Sequence, residues 1–235
     1  MQEGWTRWLL EQYGFEYKTL WDAEIKEGKL ANKYDTIILP SDPKYLILGE
    51  GLEEHYQMNN PNAVVPKYSL EYQSGIGKEG VKKLREFVEM GGTLITLAES
   101  SNFAIEELKL PIRNIVKNLN LKEFLCSGTL KVDIDKSHPL AYGVAEDALI
   151  LFWRNYPVFE FQQSAREDDF RVVVRYPEER MLQSGWLIGE KHLSRKAALI
   201  DAKLGKGHVI LFGFSPEFRA ITDATFKFFF NCFLD

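Results

Sequence analysis

The stretch GKEGVKKLREFVEMGGTLITLAESSNFAI, residues 77–105, decides the fold. Val81, Leu84, Phe87 and Val88 recur at helical spacing and form one apolar stripe, while Glu79 with Lys83 and Lys82 with Glu86 stand four apart on the wet side. Gly91 and Gly92 stop that helix, and TLITLA follows as an unbroken apolar run, the pattern of a strand buried on both faces. Helix then strand, with a turn into a second helix at Glu99-Ser100-Ser101, predicts parallel pairing through right-handed crossovers. Many α/β hydrolases and amidotransferases carry their nucleophile on such a strand-to-helix turn. Here the turn holds Glu99, Ser100 and Ser101 and no cysteine.

Outward from this unit the same logic extends. GWTRWLLEQYGF sets Trp5, Trp8 and Leu9 on one helical face with Gly14 as a left-handed stop, which assigns Trp5 and Trp8 to the core. DAEIKEGKL offers Asp22 as the cap of a short helix ended by Gly28, and YDTIILP reads as a strand buried on both faces. Residues 41–77 carry Pro43, Pro61, Pro66 and Asn59-Asn60 without periodicity, and a loop so far beyond the usual ~4–6 residues is expected to be functional. From Leu130 the runs LKVDI, ALILFW and RVVVRY are short and strand-like, so the second half carries a β-rich insertion. AALIDAKLGKGHVILFGF reads as a hairpin turning at Leu204-Gly205-Lys206-Gly207, and FRAITDATFKFFFNCFLD as a helix buried against the sheet.

Composition bounds the function. A chain of 235 residues, 45% hydrophobic and 13% aromatic, can bury one sizeable core and is read as one domain, 1–235. Its 34 acidic and 29 basic residues are mixed along the sequence, with a net charge of -5 and no basic stripe to neutralise phosphates, which argues against nucleic acid as a partner. No apolar run approaches the roughly 20 residues of a membrane span, and MQEGWTRW has no export-signal pattern. Cys126 and Cys232 sit among apolar neighbours and are expected to be small buried hydrophobes rather than a disulfide.

Taken together and in order, GWTRWLLEQYGF, YDTIILP, GIGKEGVKKLREFVEMGGTLITLAES, SHPLAYG and LGKGHVILFGFSPEFR resemble the class I glutamine amidotransferase-like domain that follows the catalytic domain in certain bacterial zinc carboxypeptidases of the carboxypeptidase A type. The resemblance implies a three-layer α/β/α, flavodoxin-like fold, a noncatalytic accessory role beside an upstream peptidase domain, and a secreted or periplasmic parent. Relatives of this kind begin with a parallel strand before the first helix, whereas only Met1, Gln2 and Glu3 precede it here. The sheet is therefore expected to lack an inner strand and be completed some other way, for instance by another copy in a homo-oligomer, or else to have a different strand order. The zinc motif of those peptidases, His followed at the third position by Glu, is absent: the third residues after His55, His138, His192 and His208 are Met58, Ala141, Arg195 and Leu211. No metal site and no cofactor are read from the sequence.

In an open α/β sheet, ligands bind beyond the carboxyl ends of the parallel strands. Three segments are expected to meet there: Pro40-Ser41-Asp42, Glu99-Ser100-Ser101, and Ser215 through Arg219. Glu99 at the end of a buried strand needs a partner, for which Arg219 and Arg113 are the candidates, so Glu99, Ser100, Arg219, Arg113, Ser41 and Asp42 form the candidate ligand set. As a serine hydrolase, Ser100 would take His138 as base with Asp135 nearby; the blander reading makes Ser101 or Asn102 a helix cap and His138 a turn residue. A third function is a stand-alone small-ligand or carbohydrate-binding module, with Trp21, Trp153, Trp186, Tyr68 and Tyr72 as candidate groove residues.

Overall fold

The computed structural model describes residues 1–51, 53, 57, 62, 75–154 and 156–234, so Tyr68, Tyr72 and most of the long loop lie outside the described residues. The helix of the opening stretch runs Gly77–Glu89 and buries Val81, Leu84, Phe87 and Val88, as its spacing requires. Its end closes as expected, with Gly91 at φ +121° and the Gly92 N–H donating to Phe87 C=O at 3.1 Å. On its wet side Lys82 stands 4.0 Å from Glu86, but Lys83 turns to Glu86 at 3.2 Å rather than to Glu79.

In chain order the helices are α1 (Gln2–Gln12), α2 (Asp22–Glu27), α3 (Lys44–Leu48), α4 (Gly77–Glu89), α5 (Ser100–Glu107) and α6 (Phe226–Phe230). The strands are β1 (Thr36–Leu39), β2 (Thr93–Thr96), β3 (Ile112–Asn114), β4 (Leu125–Lys131), β5 (Asp133–Ile134), β6 (Leu149–Trp153), β7 (Phe159–Phe161), β8 (Phe170–Arg175), β9 (Leu182–Ile188), β10 (Ala197–Leu204) and β11 (Gly207–Phe212). An eight-stranded sheet runs β1-β2-β11-β10-β7-β3, with β8 also pairing β10 and β5 pairing β8; a separate three-stranded sheet runs β6-β4-β9. β1, β2 and β11 are parallel, with Thr36 opposite Thr93 and His208 opposite Thr93 on its other side. β10 returns antiparallel to β11.

The unbroken apolar runs have a direct consequence. Side chains alternate across a strand, so Leu94, Val209 and Leu211 enter one core while Ile95, Ile210 and Phe212 enter the other. The first core packs Ile25 of α2, Leu84 and Phe87 of α4, and Phe103 of α5; the second packs Leu9 and Leu10 of α1, Phe226, Phe228 and Phe229 of α6, and the inner residues of the small sheet such as Cys126 and Phe152. The architecture is three-layered, mixed α/β and flavodoxin-like, with the β-rich part in the second half.

Four expectations are corrected. α1 buries Thr6, Leu9 and Leu10, while Trp8 is 37% exposed, because the core-facing stripe is set one step round from the tryptophans. Asp22 does not cap α2; its carboxylate accepts the Gly75 N–H at 2.6 Å, tying α2 to the segment before α4. β1 is the outermost strand among the described residues and is only partly buried, with Ile37 and Leu39 packed on the first core and Ile38 on the second; it pairs directly with β2, and no strand stands ahead of α1 among the described residues. The last helix is short, because Arg219 and Ala220 have positive φ and break Phe218–Ala220 away from Phe226–Phe230.

The hairpin glycines serve two different needs. Gly205 takes φ +65° in the turn, as the sequence requires. Gly207 has no such φ; it is there because a Cβ would stand 2.2 Å from Gly92 C=O and 2.3 Å from Val88 C=O, where β11 passes under the end of α4. Gly207→Ala is expected to destabilise the protein by about 1–3 kcal/mol in chemical denaturation, because two backbone carbonyls must move. Gly4→Ala, on the open face of α1 with nothing within 4 Å, is expected to stabilise by up to about 1 kcal/mol.

Candidate functional site at the carboxyl ends of the parallel strands

The chain leaves β2 through a strained turn. Ala98 sits there at φ +45°, buried, with a backbone conformation that non-glycine residues adopt only at a cost of order 1–3 kcal/mol. This is the position a nucleophile would occupy on such an elbow, and it carries a methyl group. The next residues are consumed internally. Ser100 Oγ lies 2.9 Å from both Leu39 C=O and Leu97 C=O, to which it can donate, and it accepts the Leu97 N–H at 2.9 Å. Ser101 Oγ reaches Phe212 C=O at 2.8 Å and Thr96 Oγ1 at 3.0 Å, so it ties the turn to β11. Ser41 Oγ accepts the Glu99 N–H at 3.3 Å and ties it to the end of β1.

His138 is not brought to Ser100. Its Nδ1 accepts the Leu140 N–H at 3.2 Å, and its Nε2 faces Asp201 at 3.4 Å; the same Asp201 holds His208 Nδ1 at 2.7 Å. His208 pairs with Thr93, the first residue of β2, so this cluster belongs to the opposite end of the strands from Ser100. Burial pushes Asp201 up, but hydrogen bonds from His138 and His208 outweigh it and hold the carboxyl at about 2, while the Asp201 hydrogen bond raises His208. Asp135 instead caps its own turn through the Ser137 N–H at 3.0 Å.

The two arginines also go elsewhere. Arg113 is exposed on β3, at the far edge of the sheet, paired with Glu160. Arg219 is exposed, its guanidinium 5.3 Å from the Phe218 ring centre. Of the six ligand candidates, the fold gathers Ser41, Asp42, Glu99 and Ser100 at the strand ends and leaves Arg113 and Arg219 out as charge partners.

The carboxylate that the fold does bury is Glu217, in the segment after β11. It is wholly buried; Oε1 accepts the Thr6 hydroxyl of α1 at 3.0 Å, and Oε2 has no hydrogen-bond partner. Burial pushes its carboxyl up to about 7, against its own backbone N–H and the Thr6 hydrogen bond, which lower it. Two more buried hydroxyls beside it, Tyr156 Oη and Ser215 Oγ, also lack partners. Burial raises the Tyr156 phenol; Ser215 is close enough to offset part of that effect without hydrogen-bond geometry, and the charges of Glu217 and Glu99 act on it in the same sense as burial. Sequence reading named the segment but chose Arg219 within it. The available signal was Glu217 itself, an acidic residue in an otherwise apolar, proline-containing segment following a buried strand.

Trp5, next to Thr6, makes an edge contact with Phe218 at 6.3 Å and with Trp8 at 5.7 Å, and Trp153 reaches Phe218 at 6.3 Å, so aromatic rings border this cluster. Trp186 and Trp21 are 73% and 70% exposed. Both cysteines are buried and free, with burial raising each thiol, Cys126 to about 12. Among the described residues no group of three or more His, Cys, Asp and Glu side chains could hold a metal ion, and no helix is long and apolar enough to cross a membrane.

Solved structures match this arrangement over nearly the whole chain. A GMP synthase-type protein of Thermoplasma acidophilum superposes with a TM-score of 0.56 at 10% identity, covering 99% of this chain and 86% of its own. A cytoplasmic protein of Salmonella typhimurium gives 0.54 at 13% identity, covering 97% and 83%, and a second from strain LT2 gives 0.53 at 13%, covering 99% and 85%. The fold is glutamine amidotransferase-like. No family model and no curated protein matches the sequence. At these identities the likeness concerns the backbone alone.

Ser100→Ala is expected to cost about 1–3 kcal/mol of stability, since the Leu97 N–H loses its buried acceptor. In assays with small esters and amides, the same variant is expected to match wild type at background rate.

Proposed function

We infer that the protein is a noncatalytic binding domain that takes a small, neutral, hydroxyl-bearing ligand at the carboxyl ends of its parallel strands. The observation that carries this reading is the elbow: Ala98 offers no nucleophile, and the hydroxyls of Ser100 and Ser101 are committed to backbone carbonyls. The ligand class follows from Glu217 Oε2, Tyr156 Oη and Ser215 Oγ, three neighbouring buried atoms without partners. Buried polar groups take partners. With burial raising Glu217 toward its protonated form, all three can both donate and accept, which suits ligand hydroxyls better than a full charge. Thr6, which holds Glu217, also lines a large cleft along β1. An accessory role beside a zinc carboxypeptidase domain is the setting implied by the sequence resemblance, and it rests on that resemblance alone.

Thermal shift with a panel of polyols and monosaccharides tests the reading. A ligand at a hundred times its Kd stabilises by about 2.7 kcal/mol, so a clear rise in Tm is expected for wild type and a smaller one for Glu217→Gln. Equal shifts in both, no shift with any compound, or ester or amide turnover abolished by Ser100→Ala would each overturn it. The carboxyl itself is tested by pH. A folded value near 7 above the ordinary 4.5 means the native state holds the extra proton, so stability falls as pH rises from about 4.5 through about 7. Between pH 5 and 8 wild type is expected to lose up to about 3 kcal/mol relative to Glu217→Gln, measured by urea unfolding at each pH.

A further inference from the structure

The small sheet β6-β4-β9 turns one face to the core and the other to solvent. Cys126 and Leu130 of β4, with Ile150 and Phe152 of β6, point inward and are wholly buried. Side chains alternate along a strand and match across a pair, so Leu125, Ser127, Thr129 and Lys131 point outward together with the residues opposite them. Ser127 has Trp153 opposite it on one side and Trp186 on the other. The two tryptophans thus stand in one row on the outer face, separated by a single small side chain. Two strand spacings set their backbones about 10 Å apart.

Trp186 is 73% exposed, Ile188 on the same strand 44% and Trp153 37%. Ser127, Thr129 and Ser184, also outward, make no side-chain hydrogen bond among the described residues, and the one charged side chain in the outward positions of the three strands is Lys131, at the end of β4. Arg154 follows Trp153, exposed, with its guanidinium 5.7 Å from the Trp153 ring centre and no ion-pair partner among the described residues. By itself the face is too small for a stable protein partner. The seven residues of β4 at ~3.4 Å each, across three strands at ~4.8 Å, span roughly 340 Å², and Leu151 within that area is already covered. A stable protein interface takes ~800 Å² from each side. What the face offers is two indole rings at fixed spacing, free hydroxyls between them and little charge.

We propose that this face binds a β-1,4-linked oligosaccharide, with pyranose rings stacked on Trp153 and Trp186. The C–H groups on the face of a pyranose carry partial positive charge and pack on the negative face of an indole, while hydroxyls at the ring edge bond to Ser127, Thr129, Ser184 and Arg154. Linkage follows from the row. In a β-1,4-linked chain successive rings are turned over, so the same ring face recurs at every second residue, a repeat close to two strand spacings of about 10 Å in all. An α-1,4-linked chain winds into a helix and cannot lie along a straight row, and a monosaccharide covers one tryptophan at most. The proposal goes beyond the Glu217 reading and does not rest on it, since Trp186 takes no part in the Glu217 cluster: monosaccharide binding depends on Glu217, oligosaccharide binding on Trp186.

The test is isothermal titration calorimetry of the full chain with cellohexaose and chitohexaose, which separate plain from N-acetylated chains, alongside maltohexaose and glucose. Saturable binding of at least one β-1,4-linked hexamer is expected, with maltohexaose and glucose at least tenfold weaker. Trp186→Ala, at an exposed position outside both cores, is expected to weaken hexamer binding at least tenfold, and Glu217→Gln to leave it unchanged within twofold. No saturation by either β-1,4-linked hexamer up to about 10 mM, equal binding of maltohexaose or glucose, or hexamer binding that survives Trp186→Ala or is lost in Glu217→Gln would overturn the proposal. So would a dimer in sedimentation velocity that Trp186→Ala dissociates, because the face would then be covered by a second copy of the chain.

Discussion

The structure depends on the parallel pairing of β2 with β11, two short strands whose side chains are buried on both faces. Each contributes alternate residues to two separate cores, so neither core can form unless both strands are in register, and the register cannot hold unless helices cover both faces. The hydroxyls at the carboxyl end reinforce that pairing. Thr96 Oγ1 reaches Ile210 C=O at 3.1 Å and Ser101 Oγ reaches Phe212 C=O at 2.8 Å, so the strand-to-helix turn is bonded to the neighbouring strand before it leaves the sheet. Residues that look like chemistry in the sequence are here part of the sheet's own hydrogen bonding.

That use of the hydroxyls explains the character of the candidate site. The elbow keeps its bend and its strained residue, but Ala98 holds the strained position and Ser100 and Ser101 face inward. The buried carboxyl of the strand ends is instead Glu217, which has no ion-pair partner among the described residues and which burial pushes toward its protonated form. α1 supplies a side-chain hydrogen bond to it through Thr6, so the helix that covers one core also completes the polar cluster. At the opposite end of the same strands, Asp201 is held ionised between His138 and His208. The two ends of the same strands thus shift two carboxyl groups in opposite directions, each set by its neighbours.

Much of this was legible in the sequence. The stripe of Val81, Leu84, Phe87 and Val88, the apolar run of β2 and the glycine at 205 each obey a local rule, so the helix, the buried strand and the hairpin followed from spacing and backbone freedom. Errors came where a nonlocal fact decides. Trp5 and Trp8 share a helical face with Leu9, but which side of that face meets the sheet depends on where α1 crosses it. YDTIILP has the composition of an interior strand yet lies at the edge, since sequence does not number a strand's neighbours. Glu99, Arg113 and Arg219 looked like partners because opposite charges attract; β3 at the far edge takes Arg113 to Glu160, and the break at Arg219 turns that side chain to solvent.

The sequence by itself determined the kinds of element, their order, and the three segments that converge at the strand ends, because these depend on side-chain periodicity and on residues only a few positions apart. Tertiary structure alone decided that Ala98 is the strained residue, that Ser100 is locked against Leu39 and Leu97, and that Glu217 rather than Glu99 is the buried carboxyl. Each of those depends on burial and on contacts between residues as far apart as Thr6 and Glu217, and desolvation, which sets the state of a carboxyl, has no signature in the local chain.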